Sequence, residues 1–486
     1  MSNEDIGALR SKLSAAQLAL LEKRISDARA DLPHDQTIPR RPVQESAPLS
    51  FQQQWLWFLI DRWRHGGTSP VYIMPAAIRL RGRLKVAALE RALNEIVRRH
   101  EALRTSFAAA GETRVQIIAP SLTLPLPVID LSSLPEARRE DEALRLAKEE
   151  AGRLFDLSRV PLLRTTLLRL GSAEYVVLLT MHHIISDGWS MGVFMQEVAA
   201  LYEAFSNGKP SPLPELPIQY PDFAVWQQDR LNAEALEPHL AYWKRKLAGA
   251  PPVLDLPTDR PRPPIQTSSG ARQSRPLSRI LAEGLKRLSL DEHVTLPMTF
   301  LAAFNVLLQR CVGRDDILVG THVANRTRVG VERLIGYFIN NLVLRTDLSG
   351  DPTVRELLGR VRAMMLEAFT HQEMPFLKLL EALAPPHDLS RPQLVQVFFV
   401  FENTPMPALD FAGLSLSYMK TGGSTATREL FLVVTEGPEG LTTILVYKAD
   451  LFEDATISRM MENLHAILES FVADPLQRLS ALSAAR

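Results

Sequence analysis

Hydrophobic positions along the chain follow two periods. Phe194, Val198, Leu201 and Phe205 recur at helical spacing, and so do Leu89, Leu93 and Ile96; both stretches predict helices with one apolar face. Further helices are expected from about Ser50, over about 136–152, from Tyr220, near 279–290 and 297–311, and over 353–371 and 455–473. Ser14-Ala15-Ala16-Gln17 before an apolar run predicts a short helix over 18–25. Continuous or alternating apolar runs predict strands over 71–80, 175–180, 316–320, 394–402, 413–419, 428–435 and 441–449, with a hairpin turning near Gly111 and paired strands around Gly171. Proline-rich stretches at 33–48, 207–218 and 251–264 read as connectors. The elements mix without an internal repeat or a βαβ rhythm, which argues for α/β (α+β) architecture and against a doubly wound sheet or barrel.

At 486 residues the chain is too long for one ordinary core. Lys+Arg and Asp+Glu both total 55, so no net field recruits nucleic acid or an anionic membrane. No run approaches the roughly 18 apolar residues of a spanning helix. Cys311 is the one cysteine, so an intramolecular disulfide is impossible; it is expected as a buried structural thiol, in a cytoplasmic protein. His371 and His387 have no ligands at metal spacing, and no metal site is expected.

The chemistry concentrates where the buried run Tyr175-Val176-Val177-Leu178-Leu179-Thr180 gives way to Met181-His182-His183-Ile184-Ile185-Ser186-Asp187-Gly188-Trp189-Ser190. Neutral imidazole can accept a proton near pH 7. Neighbouring side chains of an extended chain face opposite ways, so one histidine projects into a site while the other braces the loop. Asp187 can hold that loop through an arginine or backbone N–H groups, and Gly188 lets the chain turn and approach a substrate closely. Trp55, Trp57 and Phe58 are expected in the core, Tyr220 to Trp226 at a packing junction, and Arg98-Arg99-His100 at a helix C-terminus, where cations suit the dipole.

Seven motifs in register from Leu49 to residue 475 resemble the condensation domains of nonribosomal peptide synthetases, which are similar to chloramphenicol acetyltransferase in their HHxxxDG core. They are Leu49 to Leu59, Arg99 to Phe107, Met181 to Ser190, Tyr220 to Trp226, Ile335 to Arg345, His371 to Phe376, and His387 to Arg391. Two departures stand out. Phe338-Ile339-Asn340-Asn341 replaces the usual Phe-Val-Asn-Thr, and Trp55 sits where the family often has arginine. The resemblance implies two chloramphenicol-acetyltransferase-like lobes, each a mixed sheet with flanking helices, forming a V around a tunnel. It implies an N-terminal helix and linker or docking segment over 1–48, one lobe over 49–215, a second over 216–475 with a latch near Gly422-Gly423-Ser424, and the start of a linker over 476–486. It further implies His183 facing the acceptor amine as base or positioner, the Gly188 N–H steadying an oxyanion, and His182 and Asp187 bracing. Arg326 or Arg104 is the expected partner of Asp187, and Asn340, Trp189 and Ser190 are expected to position substrate.

The implied reaction joins a donor acyl thioester to the α-amino group of an aminoacyl-phosphopantetheinyl carrier protein, with no tightly bound cofactor. Implied partners are the acceptor carrier, acyl-CoA or a donor carrier, and a downstream adenylation domain. With only Met1 and a short helix ahead of the motifs, the donor is expected in trans. That fits a starter domain using fatty acyl-CoA, or an elongation domain receiving a peptidyl carrier through residues 1–30. A stand-alone CoA acyltransferase and a catalytically silent recruitment domain are the alternatives of other classes.

Overall fold

In the computed structural model the described residues are 37–42, 45–64, 70–111, 113–385, 388–402, 413–419, 425–437 and 440–482; side chains of 62–64 are not described. The expected helix at 18–25, His387 and Gly422 to Ser424 lie outside them.

The first half begins with β1 (Ser46–Pro48), α1 (Phe51–Arg64), β2 (Ile73–Arg81), α2 (Val86–Arg99), the hairpin β3 (Thr105–Ala110) and β4 (Thr113–Ile118), and β5 (Val128–Asp130). It continues through α3 (Glu136–Gly152), β6 (Leu163–Arg169), β7 (Glu174–His182) and α4 (Gly188–Ser206). The second half runs α5 (Tyr220–Arg230), α6 (Ala233–Leu247), β8 (Gly270–Pro276), α7 (Arg279–Asp291), α8 (Leu296–Val312), β9 (Asp316–Val323), β10 (Asn340–Asp347) and α9 (Val354–Thr370). It ends with α10 (Phe376–Leu383), β11 (Val397–Glu402), β12 (Ser415–Tyr418), β13 (Leu430–Gly437), β14 (Gly440–Lys448) and α11 (Asp454–Ala473). Pattern alone missed β1, β5, β8, β10 and α10. The first three are short or polar, while β10 and α10 start inside or at the end of stretches that read as motifs rather than as elements.

Two open sheets with flanking helices carry the lobes; neither closes into a barrel. One has the order β12-β2-β7-β6-β5, the other β10-β9-β11-β13-β14-β8. β7 is central in the first, antiparallel to both β2 and β6. Its unbroken apolar run is explained by burial on both faces. Tyr175, Val177, Leu179 and Met181 enter the larger core of that lobe, while Val176 and Leu178 pack with Ala143 and Ala147 of α3. In the second lobe α8 and α11 lie in the core behind β9, β11 and β13. Among the described residues no single helix is long and apolar enough to cross a membrane.

The lobes are tied together by three kinds of contact. β12 leaves the second half of the chain to pair with β2, setting Ser415 opposite Arg81 and Tyr418 opposite Ile78. α1 bridges the cores, with Leu56 and Trp57 in the first and Trp55 in the second. A separate cluster of Ile218, Tyr220, Phe223, Trp226, Leu334 and Phe338 fills the junction, where the sequence places Tyr220. Its hydroxyl donates to the Tyr337 carbonyl at 2.6 Å and is 2.7 Å from Ser50 Oγ.

Several side chains depart from expectation. α4 is buried on most of its circumference, not on one stripe, because it lies between α2 and the lobe junction. Arg98, Arg99 and His100 do end α2, as expected, but Arg99 and His100 are buried there: both engage Glu197 of α4, with Arg99 Nε 3.0 Å and His100 Nε2 2.8 Å from its carboxylate. Cys311 is half-buried at the edge of the second core, where burial raises its thiol pKa.

Candidate functional site

The two histidines part because the strand stops between them. His182 ends β7, and His183 opens a tight turn of three residues, His183–Ile185. His182 is 7% exposed, its ring edge-on to Phe155 and its Nδ1 accepting from the Ile184 N–H at 3.1 Å. Burial, reinforced by the neighbouring His183, pushes its pKa down to about 3, so it stays neutral and caps the turn. His183 keeps partial exposure and stands edge-on to Tyr337 across the lobe junction, ring centroids 5.2 Å apart. Its Nδ1 lies 2.9 Å from the Ser186 carbonyl oxygen, which can only accept. The proton therefore sits on Nδ1, and Nε2 presents a lone pair that no described residue engages. Burial lowers this imidazole's pKa as well, so the neutral form prevails at pH 7.

Asp187 holds the loop from below. It is the N-cap of α4, and its Oδ1 accepts from the Ser190 N–H at 2.8 Å. Oδ2 accepts from the Phe338 N–H at 3.0 Å, and Arg326 Nη2 donates to Oδ1 at 3.2 Å. Arg326 also donates to the Val331 and Leu334 carbonyls and to Ser190 Oγ, and its guanidinium lies 4.1 Å over the Phe338 ring. One lobe's histidine loop is thus locked to the other lobe's 326–338 segment through a buried ion pair, with side chains 1% and 3% exposed. Arg104 is not the partner. It reaches the Ala119 carbonyl and Glu101 instead, because it ends the turn after α2 on another side of the lobe.

Four other expected site residues are placed differently. Gly188 has no left-handed φ and open space where a Cβ would stand, so the turn itself does not require glycine. It is exposed at the first position of α4, leaving its N–H free among the described residues. Ser190 is fully buried, with its hydroxyl donating to the Gly336 carbonyl and accepting from Arg326 and the Gly336 N–H. Trp189 is 40% exposed and its indole N–H donates to the Glu332 carbonyl at 2.9 Å. Asn340 spends its amide on the 372–376 turn, donating to the Gln372 and Met374 carbonyls and accepting from the Phe376 N–H. Ser190 thus has its hydroxyl fully engaged, Trp189 has committed its only donor, and Asn340 keeps no free proton and one further lone pair on Oδ1; the bonds these three make hold protein segments. His371 stacks on Tyr242 and meets His239, away from this loop.

The structure adds His322 and Arg428, which no motif contained, and gives Tyr337, inside the Ile335 to Arg345 motif, a place of its own. His322 of β9 bonds Asn341 Oδ1 at 2.7 Å and contacts Phe398 and Phe431; burial, with Arg428 nearby, pushes its pKa down to about 4. Tyr337 and Arg428 complete the surroundings of the histidine loop. Single positions in loops or on strands carry no periodic signal, so only the folded chain could assemble them.

The fold and the loop together are those of the two-lobed HHxxxDG class. The chain belongs to the condensation domain family, whose family model matches residues 43–485, and it is a condensation domain of the nonribosomal peptide synthetases. Domains of this family are amide-forming, acyltransferase-like enzymes in general. To one component of the linear gramicidin synthase of Brevibacillus parabrevis the chain is 48% identical over 443 residues, spanning 91% of this chain and 6% of that relative. To phosphinothricin tripeptide synthetase PhsC of Streptomyces viridochromogenes it is 40% identical over 485 residues, spanning 99% of this chain and 44% of the relative. The chain thus covers less than half the length of either relative. Its structure is similar to that of the X-domain from teicoplanin biosynthesis, with a TM-score of 0.81 and 31% identity over 92% of this chain and 100% of the other.

Proposed function

We propose that this chain condenses a donor acyl thioester with the α-amino group of an aminoacyl thioester, both carried on phosphopantetheine arms. The observation that supports this reading is the neutral His183, with Nδ1–H committed to Ser186 and Nε2 unengaged at the lobe junction. Nε2 accepts the proton of the acceptor amine as its nitrogen attacks the thioester carbonyl. The C–N bond forms, the C–S bond breaks, and the leaving thiolate takes up the released proton. The Gly188 N–H, at the positive end of α4, steadies the oxyanion. Most of the acceleration comes from bringing two tethered groups together; such proximity contributes roughly 7–11 kcal/mol in well-oriented systems. His182, Asp187 and Arg326 hold the loop and touch no reacting atom.

The partners in this reading are an acceptor carrier protein, a donor carrier protein or acyl-CoA, and an adenylation domain that loads the acceptor. The test is condensation between separately loaded carriers, followed by mass spectrometry of the acceptor arm. His183→Ala is expected to lower the rate roughly 10²–10⁴-fold, the usual share of general-base help. A wild-type rate would overturn the assignment. Offering acyl-CoA and acyl-carrier in turn separates a starter from an elongation domain, and product from a free diffusible amine would favour a stand-alone acyltransferase.

A further inference from the structure

Beside the histidine loop lies a cleft lined by Trp55, Tyr72, Ile265, Gln393, Thr427 and Arg428, among others. Its lining is apolar or uncharged apart from one group, the guanidinium of Arg428. Arg428 is only 9% exposed, and among the described residues no carboxylate or carbonyl takes its protons. Its guanidinium carbon lies 4.2 Å over the face of Phe398.

The nearest acid in the chain, Glu429, is already taken. Both its oxygens bond Arg262 in a fork, at 2.8 and 2.9 Å, and Lys448 adds a further positive charge close by. The neighbourhood therefore holds three cations and two acids, Glu429 committed to Arg262 and Asp450 beside Lys448, and neither acid bonds Arg428 among the described residues. A buried charge without a counter-charge weakens a fold, so the arrangement calls for an anion from outside.

Location narrows its identity. Arg428 is close enough to Tyr72 and Tyr337 to feel their phenols, and Tyr337 is the ring against which His183 stands. The anion would bind at the reacting end of a substrate arm. A pantetheine phosphate lies at the opposite end of that arm, so a carboxylate carried by the acyl or aminoacyl unit itself fits better. Trp55 sharpens the point, because it is buried against Phe58 and Phe376 and brings no charge to this wall.

We propose that Arg428 is a specificity-determining residue that binds a substrate carboxylate in this cleft, making the chain selective for an acidic side chain on the donor or the acceptor. This rests on the condensation reading above and names a substrate class for it. Discrimination should be large, because an amide isostere offers no counter-charge to a buried guanidinium. A charge-assisted hydrogen bond corresponds to a preference of roughly ten- to a hundredfold.

The experiment compares aspartyl- with asparaginyl-loaded carriers, placed first on the acceptor and then on the donor, for the wild type, R428Q and R428K. On one side the wild type is expected to prefer aspartyl at least roughly tenfold, R428K to keep most of that preference and R428Q to bring the ratio close to one. Equal rates for the two loads on both sides, or an R428Q variant that loses both equally, would overturn the proposal. Calorimetric binding of aspartyl- and asparaginyl-pantetheine to the same variants needs no chemistry. A binding preference that depends on Arg428, in a protein that does not condense, would sink the condensation reading and leave this one standing. Melting temperatures close the remaining gap: with no counter-charge for Arg428 among the described residues, R428Q should melt no lower than the wild type, and a large drop would show a structural role instead.

Discussion

Replacing Asp187 by asparagine removes one charge at almost constant volume, and the structure allows its consequence to be worked through. The carboxylate accepts the Ser190 N–H, the Phe338 N–H and one arm of Arg326, with both partners of the ion pair at most 3% exposed. An asparagine offers one acceptor oxygen, and its amide nitrogen must then face a donor. One backbone N–H is left without a partner, and Arg326 retains three neutral acceptors, with Glu332 as an acid it feels but does not bond. Removing one member of a buried pair costs about 3–5 kcal/mol. The cost falls at the lobe junction, because Phe338 and Arg326 belong to the segment packed under Tyr220. The assay is urea unfolding followed by fluorescence and by circular dichroism, with D187N, R326Q and the double variant forming a cycle. Direct partners should couple by roughly 0.5–3 kcal/mol. A D187N variant within about 1 kcal/mol of the wild type, or strictly additive effects in the cycle, would refute the account of the loop as locked from the other lobe.

Further outcomes follow from the same geometry. His182 is neutral in the fold down to about pH 3 but titrates near 6.5 once unfolded, so its contribution is fully present above pH 6.5 and declines as pH falls towards 3. His182→Asn, whose Oδ1 can still take the Ile184 N–H, should flatten that part of the stability–pH curve by roughly 5 kcal/mol at most; parallel curves would count against it. The His183 ring, followed by NMR, should titrate below 6.5, since burial disfavours its cation, and a midpoint above 6.5 would contradict the site described here. In Gly336→Ala the new methyl would stand 1.9 Å from the Tyr220 ring, and overpacking of at least about 1–3 kcal/mol should appear as a lower melting temperature. Asn340→Ala should free the 372–376 turn from β10, seen as faster amide exchange at Phe376.

Local pattern carried much of the architecture. β7 was legible because a strand covered on both faces must be apolar throughout, and α9 because its apolar positions keep helical spacing up to His371. Of the strands that escaped notice, β1, β5 and β8 are edge strands that need little apolar surface. At the site, His182, His183 and Asp187 were visible as residue types in a spacing. Asn340, Ser190 and Trp189 were visible too, but what their polar atoms bond was not.

From its own order, then, the chain determines most of the segments that become strands and helices, and that two histidines and an aspartate follow a buried strand. Those features depend on neighbours within a few residues. Tertiary structure decides that Arg326, not Arg104, meets Asp187, that β12 crosses to the other lobe's sheet, and that Arg428 stands buried beside Tyr337 with no counter-charge among the described residues. Each of these joins residues far apart along the chain or depends on which acid is already taken. Such outcomes are set by packing and by the cost of burying charge, and no window of sequence contains them.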